Sequence, residues 1–281
     1  MNESPSSFPA LDEFRALHET GCFVLPNPWD AGTAVYLQRA GFRALATTSA
    51  GAAFSRACSD DTPALPLEVM LAHFREIVDA TPLPVNADFQ SGYADAPEGV
   101  AANVRLCVAT GVAGLSIEDN TGHAEAPLYE KKLAVERIKA ARNAIDASGV
   151  PVLLTGRCEA WLVDEPEPLR TALDRLVAYA EAGADCLYAP GVRDPNEIAQ
   201  IVRAVAPRPV NVLVSRPGPG LTVQHLRDLG VRRISVGSAL SLVAWGAFIR
   251  AAEGIASTGT FEALEGAAAY GEINELFRKP A

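Results

Sequence analysis

The stretch Pro84-Val-Asn-Ala-Asp88-Phe-Gln90-Ser-Gly92-Tyr-Ala-Asp95 decides how the rest of the chain is read. It starts as a short buried strand and turns at Ser91-Gly92. Asp88 and Gln90 stand two apart, so their side chains share one face if the strand runs that far. A carboxylate leaving the end of an apolar strand is costly unless it is solvated, paired or bound to a cation. The pattern recurs further on, where Ala113-Gly-Leu-Ser-Ile117 runs straight into Glu118-Asp119-Asn120. Two successive strands ending in oxygen-bearing side chains suggest a hard divalent cation between them.

Outward from this pair, the same rhythm fills the chain. Short apolar runs at 22–26, 43–47, 113–117, 152–157, 185–189, 210–214 and 233–236 read as strands. Helical patterns separate them, with Asp30 and Thr222 placed as N-caps and Pro97 near the first turn of its helix. Strands separated by helices pair in parallel through right-handed crossovers. Eight such units predict a (β/α)8 TIM barrel, with chemistry at the carboxyl ends of the strands. A doubly wound sheet is disfavoured, because no Gly-x-Gly-x-x-Gly follows the first strand. The expected organisation is one domain over 1–281, with a polar tail at 1–10 and apolar helices at 239–277.

Bulk properties narrow the partners. A formal net charge of -10 disfavours nucleic acid and anionic membranes. A small anionic substrate remains compatible, since a metal or arginine can reverse the field inside one pocket. The five cysteines are scattered and never form a CxxC pair, which suits a reducing compartment without disulfides or a zinc ribbon. The first residues lack the basic and apolar blocks of a signal peptide, and no apolar run is read as long enough to span a bilayer. A cytoplasmic protein is expected.

In a barrel the strand ends share one mouth. There they collect Asn27, Trp29 and Asp30, then Thr47, Thr48 and Ser49, then Asp88 and Gln90. Glu118, Asp119, Asn120, Arg157, Glu159, Asn211 and Ser215 complete the set. Arg157 ends a buried strand, so its charge needs a carboxylate from protein or substrate. A hydrated Mg2+ and an arginine together fit a small 2-oxo acid, whose carbonyl the metal polarises and whose enolate it stabilises.

At this point the chain resembles the isocitrate lyase/phosphoenolpyruvate mutase superfamily, in the phosphonomutase-like branch. The resemblance rests on Asn27-Pro-Trp-Asp30-Ala31, Thr48-Ser-Ala-Gly51, Ala87-Asp-Phe-Gln-Ser-Gly-Tyr93 and Gly114-Leu-Ser-Ile-Glu118-Asp119. Gly156-Arg157, Ala189-Pro-Gly191 and Val210-Asn-Val212 follow in order. It implies a Mg2+-dependent barrel (Mn2+ as substitute) that makes or breaks C–C or P–C bonds of small oxo- or hydroxy-acids or phosphonates. By position, Asp88 resembles the direct metal ligand and Glu118 a ligand through water, with Gln90 at a third metal position. Asp60 resembles an acid that approaches metal-bound water. Ser49, Ala50 and Gly51 resemble the segment that holds the substrate carboxylate. Arg157 resembles the arginine at the substrate oxyanion, and Trp29 and Asn211 are further pocket candidates. The resemblance also implies helix-swapped dimers paired into tetramers.

Two departures stand out. Gln90 replaces a second acid, which removes one negative charge from the metal site. The family's lyases carry a Lys-Lys-Cys-Gly-His lid with a catalytic cysteine, whereas this loop reads Asn120-Thr-Gly-His-Ala-Glu-Ala-Pro-Leu128. Only His123, and with it Glu125, is left there to move protons.

Structural roles compete with each of these assignments. Asp88 and Glu118 can cap or ion-pair, Arg157 can pair with Asp119 or Glu159, and His123 can be an ordinary exposed loop residue. His18, His73 and His225 fall on helices away from the mouth and read as structural, and Cys158 reads as core. The leading expectation is a Mg2+-dependent lyase or hydrolase cleaving a C–C bond of a small 2-oxo acid. The alternatives are a phosphonate enzyme (phosphonomutase or phosphonopyruvate hydrolase) and a catalytically impaired ligand-binding barrel.

Overall fold

The computed structural model describes residues 8–278 apart from Thr62, Ala64 and Gly220. Most of the tail expected at 1–10 lies outside the described residues, and Pro9 already starts a helix. The chain runs through α1 (Pro9–Glu19), β1 (Phe23–Leu25), α2 (Ala31–Arg39), β2 (Leu45–Ala46), α3 (Ser49–Phe54) and α4 (Leu67–Ala80). Then come β3 (Val85–Ala87), α5 (Pro97–Val108), β4 (Gly114–Glu118), α6 (Lys131–Ser148), β5 (Leu153–Arg157) and α7 (Pro168–Glu181). The remainder is β6 (Cys186–Tyr188), α8 (Pro195–Val205), β7 (Val210–Leu213), α9 (Val223–Asp228), β8 (Arg233–Ser235) and α10 (Ala239–Thr258). A short 3-10 turn (Glu262–Leu264) and α11 (Tyr270–Leu276) follow.

All eight strands are parallel and lie in the order β1-β8-β7-β6-β5-β4-β3-β2. This is the predicted (β/α)8 barrel, nearly closed. No ladder joins β1 to β2, and the seam is held instead by the Ala46 N–H on the Pro26 carbonyl at 3.0 Å. Asn27 strengthens it. Its Nδ2 donates to the Thr47 carbonyl (2.8 Å), while its Oδ1 accepts from the Val236 and Gly237 N–H groups (3.1 and 2.9 Å). One side chain thus ties the ends of β1, β2 and β8.

The surrounding helices obey the sequence signals. Asp30 caps α2 in a reciprocal capping box with Thr33, and Thr222 caps α9. The inward stripe of α6, Ala134, Ile138, Ala141 and Ile145, has helical spacing and is buried against the barrel wall. Helix α1 covers the amino-terminal ends of the strands. Phe14 lies so close to Gly114 that an added Cβ there would sit 2.7 Å from its ring.

Two local expectations change. The strand of the opening motif stops at Ala87, and Gln90 takes φ +45°, so the two-residue alternation that put Asp88 and Gln90 on one face does not apply. The Thr48-Ser-Ala-Gly51 motif, for which no helix is read from sequence, begins α3. Thr48 caps α3 through the Gly51 N–H (3.2 Å). Gly51 is required there, since a Cβ would lie 2.6 Å from the Thr48 methyl and 2.8 Å from Trp29 Cβ.

The carboxyl-terminal segment projects from the barrel. Leu242, Val243, Phe248 and Ile249 of α10 are exposed, as are Phe261, Leu264 and Tyr270 beyond it, and only Ser241 of α10 is buried. Among the described residues α10 is the one helix long and apolar enough to cross a membrane by length and composition, contrary to the sequence expectation. Arg250 and Glu253 interrupt that run but do not shorten it below a span's length.

Candidate active site

The strand ends converge on a cavity of about 190 Å3 at the barrel mouth. Asp60, Asp88, Ser49, Ala50, Arg157 and Asn211 line it, together with Tyr188, Arg233 and Ser235. Glu118 does not line it, but is paired with Arg157, which does. Glu118 and Arg157 are register partners on β4 and β5, which brings their side chains together at the top of the wall.

Arg157 is the hub. Its Nη1 lies 3.1 Å from Asp88 Oδ1 and 3.3 Å from Glu118 Oε2. Its Nε donates to Glu159 Oε1, and its Nη2 to Glu159 Oε2 at 3.3 Å. Asp119, the other partner considered from sequence, is held elsewhere. It accepts from Arg175 (3.1 Å), the Tyr179 hydroxyl (2.6 Å) and the Glu159 N–H (2.9 Å). Asp119 therefore props the segment that carries Glu159, and Glu159 in turn aims Arg157.

One guanidinium facing three carboxylates leaves the cluster rich in negative charge. Burial pushes the Glu118 carboxyl well above the usual range, against the pull of Arg157 and helped by Glu159, Asp88 and Asp119. Burial also raises Glu159, again opposed by Arg157. For Arg157 burial works against the charge, but Glu159, Glu118 and Asp88 more than restore it, so the group stays protonated. Asp60 is exposed as a residue, yet its carboxyl borders the cavity. Partial enclosure, then the nearby Asp88 charge, push it up to about 6, while a hydrogen bond from Ser49 opposes the rise.

Of the remaining sequence candidates, Ser49 joins this group and Gln90, Trp29 and His123 do not line the cavity. Asp88 Oδ2 accepts the Ser49 N–H at 3.0 Å, which joins the start of α3 to the acid. Gln90 is buried, takes the Tyr93 hydroxyl on its Oε1 (3.1 Å) and faces the Asp61 carbonyl with its Nε2 (3.4 Å). Trp29 packs over Gly51 and borders a surface notch with Ser241, Trp245 and Phe248. His123 is exposed on the loop after β4, in a turn closed by the Thr121 hydroxyl. Neither Trp29, Gly51 nor His123 lines the cavity.

The donors at Asp88 and Glu118 are all oxygen, which suits a hard cation. Among the described residues no three His, Cys, Asp or Glu side chains come together as a cage. A cation here would rest on two carboxylates and several waters, the habit of Mg2+ rather than of zinc. The residues fit such an ion, and they suit no transition metal that needs nitrogen or sulfur.

The profile of the phosphoenolpyruvate phosphomutase family matches residues 14–256. The chain belongs to that family. The resemblance to the isocitrate lyase/phosphoenolpyruvate mutase superfamily, drawn from the ordered motifs between Asn27 and Val212, is thereby borne out. Among relatives of this phosphomutase-family chain is the 2-methylisocitrate lyase of Salmonella typhimurium, 31% identical over 72% of this chain and 69% of that one. A solved structure from Burkholderia cenocepacia J2315, presented as a candidate lyase/mutase, is 47% identical, covers 96% of each chain and superposes with a TM-score of 0.92. Oxaloacetate acetylhydrolase with bound oxalate is 25% identical, with a TM-score of 0.85 over 96% of this chain and 94% of that one. Two of these names, 2-methylisocitrate lyase and oxaloacetate acetylhydrolase, are those of enzymes acting on small acids.

Sequence reasoning missed Arg233 and His18 at the bottom of the barrel. The available signal was the pair Arg232-Arg233 at the start of β8, since strand alternation must turn one of two adjacent arginines inward.

Proposed function

We propose that the chain is a lyase or hydrolase that cleaves a C–C bond next to the carbonyl of a small 2-oxo dicarboxylate, with Mg2+ held at Asp88 and Glu118. The observation that carries this reading is the arrangement at the Arg157 Nη1 atom. Two carboxylates from neighbouring strands converge on it, beside a cavity sized for a small acid. A divalent cation bound there supplies Lewis-acid polarisation of the substrate carbonyl.

The protein's own groups do the rest. Arg157 faces the oxygen on which negative charge gathers when the C–C electron pair moves toward the carbonyl. Glu159 and Asp119 hold that guanidinium in place, so little reorganisation is needed as charge develops. Ser49 and Ala50, at the start of α3, border the cavity where the substrate carboxylate fits. Asp60 carries the proton. With its carboxyl near 6 it exchanges protons readily at neutral pH, and it can return one to the carbon left by bond cleavage. The loop holding His123 is outside this cavity, so Asp60 is the preferred proton carrier.

The family profile favours a second reading by its name: transfer or hydrolysis at a P–C bond. Pyruvate or phosphate release over oxaloacetate, longer 2-oxo acids and phosphonopyruvate, with and without Mg2+, separates the two. The expected result is Mg2+-stimulated cleavage of a 2-oxo dicarboxylate, lowered at least a hundredfold in Asp88→Ala. Phosphate release from phosphonopyruvate alone selects the second reading. Turnover indifferent to both metal and Asp88 overturns the proposal.

A further inference from the structure

Two guanidinium groups line the cavity, and they differ in what they face. Arg157 is surrounded by three carboxylates, so its charge is already matched within the protein. Arg233, the first residue of β8, is 2% exposed and lies at the deep end. Among the described residues it forms no ion pair. Its Nε donates to Asn211 Oδ1 (2.9 Å), its Nη2 to Thr155 Oγ1 (3.0 Å), and its Nη1 faces His18 Nε2 at 3.3 Å.

Each of these partners is neutral. His18 Nδ1 lies 2.7 Å from the Phe14 carbonyl, an atom that can only accept, so Nδ1 bears the proton and Nε2 offers its lone pair to Arg233. Burial and the Arg233 charge together hold the imidazole down to about 3, which keeps it uncharged. The carboxamide of Asn211 is oriented by the same cation. With Oδ1 on Arg233, its Nδ2 donates to Ser235 Oγ at 2.9 Å.

A buried cation among neutral acceptors is costly unless something compensates it. Asp60, Asp88, Glu118 and Glu159 outnumber the single Arg157 at the mouth, an excess of acids that does not favour an anion there. Arg233 is placed to attract an anion. Three of the five donors of its guanidinium are engaged by Asn211, Thr155 and His18, which leaves two to offer.

We propose that Arg233 is a specificity-determining residue, the pole of the cavity that receives the second carboxylate of a dianionic ligand. It does so by its own guanidinium and through the Asn211 amide that it orients. This inference rests on the proposed function for its ligand class alone, and it assigns no role in bond cleavage.

Calorimetric titration tests it, with malonate, succinate and acetate as probes, in the presence and absence of Mg2+. The full-length protein is expected to bind a dicarboxylate at least tenfold more tightly than acetate, with affinity falling as salt rises. Arg233→Gln is expected to lose that preference, and Arg233→Lys to keep most of it. A folded Arg233→Gln protein that still prefers the dianion refutes the proposal. So does a wild-type protein with no such preference.

Should Arg233→Gln fail to fold, the wild-type protein still decides. The 15Nε–1Hε resonance of Arg233 is expected to move on titration with malonate, and a resonance unmoved through saturation overturns the inference. Dianion binding that depends on Arg233, in a protein that cleaves no 2-oxo acid, sinks the reaction proposed above and leaves this inference standing.

Discussion

Replacing Arg157 with Met keeps much of the side-chain volume and removes the one charge shared by Asp88, Glu118 and Glu159. The structure sets the size and the pH dependence of the effect. Glu118 and Glu159 are 5% and 2% exposed, so neither can be stabilised by water once the guanidinium is gone. Breaking a buried pair from one side costs about 3–5 kcal/mol, because a charge remains without a partner. Both carboxyls already sit above their ordinary range in the native protein. A carboxyl raised on folding stabilises the fold while it is protonated, and that contribution is lost as pH rises through the raised value. The loss in Arg157→Met is therefore expected to be larger at about pH 8 than at about pH 5, because protonating Glu118 and Glu159 removes the unpaired charge. Urea unfolding followed by circular dichroism at the two pH values measures it. An equal loss at both, or a loss under about 1 kcal/mol at pH 8, refutes the account of the cluster.

Three further outcomes are expected. His73 is 1% exposed, both ring nitrogens lack a partner, and burial holds it down to about 4. The stability it contributes is complete above about 6.5 and falls as pH drops toward 4, so His73→Leu should gain roughly 2 kcal/mol over wild type at pH 5, read from unfolding midpoints. Asp60 lies near 6 and acts as the proton donor, so kcat/KM should fall as pH rises through that value, and Asp60→Asn should flatten the limb and lower kcat at least tenfold. The exposed apolar face of α10 should join copies of the chain, so sedimentation should give a mass well above 29.6 kDa, and Trp245→Glu with Phe248→Glu should reduce it to the monomer.

The sequence carried the barrel because each strand was short, apolar and followed by a helix whose caps were explicit. It carried Asp88, Glu118 and Arg157 for a related reason. A charged residue that ends a buried strand is chemically conspicuous, and adjacent strands bring such ends together. Gln90 was misplaced because two-residue alternation holds only within a strand, and this strand stops three residues before it. Helix α3 was hidden by its composition, since Ser-Ala-Gly-Ala-Ala is as compatible with a loop as with a tightly packed helix. His18 and Arg233 were hidden by distance. They are 215 residues apart in the chain, and only barrel closure places α1 beneath β8.

Asn27 gives the barrel a keystone. The wall lacks a ladder where its first and second staves meet, and one carboxamide bridges the gap while gripping the rim of the last. The same rim surrounds the cavity, so the joint that completes the cylinder also fixes the shape of its opening. Any residue that loosened the mouth to admit a larger guest would also unfasten the wall.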